Sequence, residues 1–396
     1  MPRAVWILVI GMTINITGAS FLWPLNTIYI SQELGRSLTA AGAVLTINAL
    51  AGVAGNLLGG RLFDLIGGFR TIMSGVIIAM ASAFTLAALH ESFTAYVLCL
   101  IALGFGGGMM IPCMYALAGS VWPEGGRRPF NAMYVSQNVG VAVGAASGGL
   151  LAGFRFDYVF IGNGLMYTAF FFLALFYFRN LQGYGGAGPL EPVKSTEEKK
   201  EHRRRFTALG LLCAGFLISW IAYAQWASTI AAYTQELGIP LSYYSLLWTI
   251  NGAMIVFCQP LIRLFINRWV RTLKAQIYTG TAVFAGAFTV LSQSETFAWF
   301  AAAMIILTIG EMFVWPAVPT IAHKLAPEGK AGFYQGIVNS IATGGRMVGP
   351  LFGGMMADVF GMQVLFYTIV LLFIIPFIMT KIFDRGVPQM DFSRSA

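Results

Sequence analysis

The chain has 396 residues, 57% hydrophobic and only 10% charged, and a formal net charge of +8. A soluble globular domain carries roughly 25% charged residues, so the composition is that of a membrane protein. The basic residues neither gather on a soluble domain nor interleave with stacking aromatics, which speaks against a nucleic-acid partner. The 46 glycines would weaken soluble helices, but in a bilayer they let helix backbones approach closely.

A bilayer core takes about 20 apolar residues of helix. Twelve apolar runs are long enough, over approximately 4–31, 38–66, 70–90, 94–121, 129–153, 158–178, 207–235, 241–266, 272–292, 296–322, 331–358 and 363–383. The first follows Met1, Pro2 and Arg3 and ends without a small-x-small cleavage site, so it reads as a membrane helix and not a leader. Cys99, Cys113, Cys213 and Cys258 fall inside apolar runs at no metal or redox spacing and read as packing residues.

With the N-terminus inside, Arg61, Arg70, Arg127, Arg128, Arg179, the 194–205 cluster, Arg263, Arg268, Arg271, Lys274, Lys324, Lys330, Lys381 and Arg385 fall on the inner side, and only Arg36 and Arg155 fall outside. The positive-inside rule therefore predicts cytoplasmic termini in a plasma membrane. Residues 179–206 read as a polar cytoplasmic linker between an N-terminal bundle over 1–178 and a C-terminal bundle over 207–396 with a short tail. The linker's basic end is either merely solvated or lies against anionic headgroups.

The two halves repeat. Ile101, Gly106, Pro112 and Pro123-Glu124-Gly125 return at Ile305, Gly310, Pro316 and Pro327-Glu328-Gly329, displaced by 204 residues, and Gly140, Gly144, Gly148 and Gly149 return at Gly345, Gly349, Gly353 and Gly354, displaced by 205. A parallel six-plus-six repeat is an arrangement of secondary transporters, with the substrate site near the midplane between the halves. The expected fold is all-α and integral to the membrane: twelve transmembrane helices in two pseudo-symmetric six-helix bundles.

Three motifs carry a resemblance. After the second span, Gly60-Arg61-Leu62-Phe63-Asp64-Leu65-Ile66-Gly67-Gly68-Phe69-Arg70 resembles the signature loop of the major facilitator superfamily, with Leu65 where a basic residue is usual. Small residues there admit a neighbouring helix, and Asp64 can face a helix N-terminus, so Gly60, Asp64, Gly67 and Arg70 are expected to form a conformational latch. The fifth span, with Gly140, Gly144, Gly148 and Gly149, and the eleventh, with Gly345, Gly349, Pro350 and Gly353, look like the antiporter motif of drug:proton exchangers; Ala145 replaces the usual Pro in the first copy. Glycines four apart are expected to form a flat groove for packing between the halves. The tenth span, Thr308-Ile309-Gly310-Glu311-Met312-Phe313-Val314-Trp315-Pro316, is similar to that of LmrP-like multidrug antiporters, which carry an intramembrane Glu after a Gly.

A carboxylate at the depth of Glu311 is costly unless paired or protonated, which makes it a functional candidate. Glu311 is expected to carry a proton, with Arg346 at similar depth as its coupling partner; a permanent ion pair of the two is the structural alternative. The resemblance implies a cavity lined by spans 1, 4, 7 and 10, which supply Asn15, Phe21, Met109, Met110, Tyr115, Tyr223, Gln225, Trp226 and Trp315. Methionines and aromatics with few fixed charges suit loosely selective binding of apolar or cationic molecules.

The reading that follows is a monomeric secondary transporter that exports small amphipathic or drug-like molecules by proton antiport. It needs no metal or cofactor, only substrate, protons and membrane lipid. Symport or facilitated passage of a sugar or peptide, and lipid flipping, are the alternatives. An enzyme is not expected, since the chain has no Gly-x-Ser-x-Gly, His-Glu-x-x-His or phosphate-binding Gly-x-x-x-x-Gly-Lys.

Overall fold

The computed structural model describes residues 1–22, 25–184, 195–387 and 392. Twelve principal helices follow the apolar runs: α1 (Arg3–Leu22), α2 (Leu38–Ile66), α3 (Gly68–Leu89), α4 (Phe93–Val121), α5 (Arg128–Phe154), α6 (Phe156–Tyr177), α7 (Thr196–Ala224), α8 (Leu241–Phe257), α9 (Leu273–Leu291), α10 (Phe297–Leu325), α11 (Ala331–Phe360) and α12 (Met362–Leu372). Among the described residues, eight helical spans are long and apolar enough to cross a membrane, or nine with bent α8 and its continuation counted. Helices α5, α9 and α11 fall below that measure. Asn131, Gln137 and Asn138 dilute α5, Lys274 and Gln276 dilute α9, and Gln335, Asn339 and Arg346 dilute α11.

Helix starts follow local chemistry. The Ser37, Ser92 and Thr272 side chains accept from the N–H groups of Ala40, Ala95 and Ala275, capping α2, α4 and α9. Gly67 (φ 90°) separates α2 from α3, and Gly361 (φ 83°) separates α11 from α12. Both sit in the left-handed region that glycine tolerates.

The largest departure from expectation lies at α7. Its helix begins at Thr196 and not near 207, because Ser195 and Glu198 form a reciprocal capping box, Glu197 and Glu198 occupy the first turn, and Glu201 pairs with Arg205 one turn on. Residues 196–206 of the expected linker are therefore helix; residues 179–184 lie in a short 3-10 segment, and 185–194 lie outside the described residues. Two expected single helices are broken. The eighth bends by 59° before the segment Gln259–Arg268, where Pro260 supplies no N–H for the preceding turn. The twelfth breaks at Phe373 before Ile374–Ile382, where Pro376 has no N–H to give the Leu372 carbonyl.

Packing divides the chain into two units: 1–192 with 326–340, and 193–325 with 341–396. Thus the first turns of α11 belong to the first unit. There α2 lies along α4, α3 along α4 and α6, and α1 along α5 and α6. In the second unit α9 lies along α10 and α12, α8 along α10, and α7 along Ile374–Ile382. The repeat is physical: a Cβ on Gly75 or Gly106 would come within 2.9 or 2.7 Å of the other's carbonyl oxygen, and one on Gly280 or Gly310 within 2.9 Å of its partner's. The α3–α4 and α9–α10 crossings thus use the same close approach.

Candidate functional site

The acidic centre lies within the second unit. Glu311, on α10, is 2% exposed. From α8, the Asn251 amide Nδ2 donates to Glu311 Oε2 at 2.8 Å and to Thr308 Oγ1 at 2.9 Å, while Thr308 Oγ1 donates to the Met304 carbonyl at 2.7 Å. Tyr223, on α7, is hydrogen-bonded to Glu311 through its side chain. Three helices thus converge on one buried carboxylate, and the donors from Asn251 and Tyr223 are neutral.

Aromatic rings cover the same place. Trp220 and Trp315 stack with centroids 4.6 Å apart, Tyr223 meets Trp315 edge-on at 5.6 Å, and Phe216 and Phe284 each lie 5.4 Å from Trp315. The Arg346 guanidinium sits 5.0 Å from the Trp220 ring centroid and within electrostatic reach of Tyr223. Arg346 and Glu311 therefore share Tyr223 as a neighbour.

In the first unit, Asp64 is 4% exposed and accepts from the backbone N–H of Gly332 and of Phe333, each at 2.8 Å. These are free N–H groups in the first turn of α11, where the helix carries partial positive charge. A Cβ on Gly60 would collide with the Gly332 carbonyl, and one on Gly332 with that of Gly60. Gly67 forms the turn behind Asp64, donating to the Phe63 carbonyl. Arg70 is exposed on α3 and takes no part in these contacts.

The antiporter-type glycines pack inside each bundle, in place of the expected groove between halves. Gly140, Gly144 and Gly148 lie against the Thr13, Thr17 and Phe21 carbonyls of α1, while Gly345 and Gly349 lie against Trp220 and Ala224 of α7. Gly353 leaves room for the Gln225 side chain, whose Nε2 donates to the Ile221 and Gly349 carbonyls at 2.8 Å each. A Cβ on Gly149 would meet no described atom within 4 Å, and Pro350 is exposed.

Of the residues expected to line a cavity, only Tyr223 and Trp315 gather at Glu311. Phe21 packs under Gly148 and Gly162, and Met109 and Met110 fill the crossing of α4 with Gly75. Tyr115 donates to Gln137 Oε1 at 3.3 Å. Gln225 and Trp226 are fully buried in the turn after α7, and Asn15 is 2% exposed with an Oδ1 that has no hydrogen bond among the described residues. Sequence reasoning passed over Asn251 and Trp220; an amide inside an apolar run was the available signal for the first. It also passed over a polar chain in the first unit. There Tyr29 Oη lies 2.6 Å from His90 Nδ1, His90 Nε2 lies 3.0 Å from Asp157 Oδ1, and Arg155 pairs with Asp157. Arg127, between α4 and α5, is also buried; burial pushes its guanidinium down to about 10, which leaves it charged at neutral pH.

Two repeated helical bundles, each with buried polar groups on apolar helices, define a multi-pass membrane transporter. The chain belongs to the major facilitator superfamily, whose family model matches residues 8–350. It is 53% identical over 387 residues to YttB of Bacillus subtilis (strain 168), described as an uncharacterized MFS-type transporter, covering 98% of this chain and 96% of that one. It is 23% identical over 359 residues to the multidrug resistance protein MdtH of Aeromonas hydrophila, covering 89% and 87%. The human organic anion transporter MFSD10 (TETRAN) shares the fold, with a TM-score of 0.73 at 15% identity, covering 96% of this chain and 100% of that one.

Proposed function

We propose that the protein exports small amphipathic molecules across the plasma membrane in exchange for protons, by alternating access, with both termini cytoplasmic. The observation that carries this reading is the Glu311 carboxylate, buried in α10 beside neutral donors from Asn251 and Tyr223 and bordered by the Trp220–Trp315 pair. A buried acid in an apolar helix can load and release a proton as access alternates. Flat aromatic faces next to it accept apolar or cationic groups of varied shape. The multidrug resistance description of MdtH supports a drug-like substrate. Asp64, on α2 against the first turn of α11, serves as the latch of the transport cycle, and Arg346 tunes the acidic centre through Tyr223.

The test is transport in inverted vesicles with an imposed pH gradient, comparing cationic dyes, peptides and sugars. Proton-driven dye accumulation is expected. Glu311→Gln, which keeps the shape of the protonated carboxyl, is expected to abolish that coupling while leaving dye exchange down its own gradient. In the double variant Glu311→Gln/Arg346→Gln, normal expression without coupling supports the proton site; proton-driven transport in that variant refutes it. Sugar or peptide uptake in place of dye export would establish the nutrient alternative.

A further inference from the structure

The start of α7 and the end of the chain's last helix form a basic groove that the transport chemistry does not use. Lys200, Arg203, Arg204, Thr207, Ala208 and Leu211 line one wall. Their spacing places them on one face of the helix. Ile382, Phe383 and Gly386 form the other wall, and the space between is about 210 Å³. Drug-sized pockets begin near 300 Å³, so this one fits a small charged headgroup. The cations sit on the charged first turns of α7, and the floor of Ala208, Leu211, Ile382 and Phe383 is apolar. Immediately between them Phe206, the last residue before the apolar run over 207–235, is 52% exposed. The groove therefore straddles the level where headgroups give way to acyl chains.

Three of the four neighbouring acids are already engaged, and the fourth, Glu197, lies in the first turn of α7 outside the groove lining. Glu201 pairs with Arg205, Glu198 closes the capping box on Ser195, and Asp384 holds Lys274 Nζ at 2.7 and 2.8 Å. Lys200, Arg203 and Arg204 are exposed and make no ion pair or side-chain hydrogen bond among the described residues. Three free cations above an apolar floor complement an anion that carries a hydrocarbon tail. Arginine forks match phosphate oxygens, and basic pockets between membrane helices suit phospholipid headgroups.

We propose that this groove holds the phosphodiester headgroup of an anionic phospholipid, with its glycerol and upper acyl carbons on Leu211, Ile382 and Phe383. The proposal is independent of the substrate and of proton coupling. It is tested with the full chain in phosphatidylcholine nanodiscs containing a minor fraction of spin-labelled phosphatidylglycerol, whose motionally restricted fraction reports binding. Each surface cation contributes roughly a fivefold preference for anionic lipid, so Lys200→Gln/Arg203→Gln/Arg204→Gln is expected to lower the relative association constant at least about tenfold, while Arg36→Gln leaves it unchanged. No preference over labelled phosphatidylcholine in the native chain, or full preference in the triple variant, overturns the proposal. Displacement by millimolar inorganic phosphate also overturns it, by showing a site for free anions. Photoactivatable phosphatidylglycerol on the native chain gives a measurement that needs no variant: crosslinks are expected on 200–211 and 382–386, and crosslinks confined to other segments refute the site.

Discussion

Glu311 and Gln225 illustrate how much one buried polar side chain depends on its neighbours. Asn251 gives the Glu311 carboxylate a neutral donor and satisfies Thr308 with the same amide. Removing one partner of a buried polar group costs about 1–3 kcal/mol, so Asn251→Ala is expected to lower the thermal midpoint of the purified protein. An unchanged midpoint would show that the amide does not hold the carboxylate. Gln225 tests the complementary case of steric fit. An alanine methyl at 353 would run into Gln225 Oε1, which also accepts from Thr229 Oγ1 at 2.9 Å. Overpacking of this kind costs about 1–3 kcal/mol, and Gly353→Ala should destabilise by that amount. In the double variant with Gln225→Ala the clash is gone, so the double should melt above the single; equal melting would place the damage elsewhere. Neither relation was legible in the sequence. Asn251 lies 60 residues before Glu311, and only the packing of α8 on α10 brings them together. By contrast Glu311 itself stood out, because a lone acid in an apolar run has no cheap explanation.

At the scale of elements, the motif after the second span points to an acid against a helix N-terminus, since such a loop needs small residues and an acid, while Arg70 of the same motif lies outside the contact. Asp64 accepts two backbone N–H groups of α11, and the Gly60–Gly332 approach lets it reach them. Hydrogen bonds to a charged group are worth about 1.5–3 kcal/mol. Asp64→Asn keeps the shape but turns an NH2 group toward one of those donors. Turnover is expected to fall about tenfold, the equivalent of some 1.4 kcal/mol, with substrate affinity within about twofold. Lost affinity with unchanged turnover would remove Asp64 from the conformational cycle. Helix ends were read less well. The long polar start of α7 reads as linker, yet Ser195, Glu198 and the Glu201–Arg205 pair make that stretch a good helix. Polarity distinguishes membrane from water, and it says little about helix against coil. The breaks at Cys258 and Phe373 follow from Pro260 and Pro376, which a hydropathy window averages away.

For the whole molecule, the repeat was the most informative feature, because the same glycines recur where α3 crosses α4 and where α9 crosses α10. Helices α5, α9 and α11 are the least apolar of the twelve runs, because polar residues and glycines lower their hydropathy, and there the repeat adds the most. Orientation is a separate inference that rests on charge. Arg36 and Arg268 are both exposed, Arg36 between α1 and α2 and Arg268 between α8 and α9. With cytoplasmic termini, a loop after an odd-numbered span faces outward and one after an even-numbered span faces inward, and the excess of basic residues fits that assignment. Cys99, Cys113 and Cys213 are buried and Cys258 is half-buried, so a Cys258→Ala background should give little native labelling. In that background Arg36→Cys is expected to react with a membrane-impermeant maleimide on intact cells, and Arg268→Cys only after the membrane is opened. The opposite pattern would invert the topology, and with it the side on which Asp64 and the basic groove of α7 operate. Labelling of both from outside would instead mean that the spans between α2 and α8 are miscounted, because an even number of crossings separates two loops on the same face.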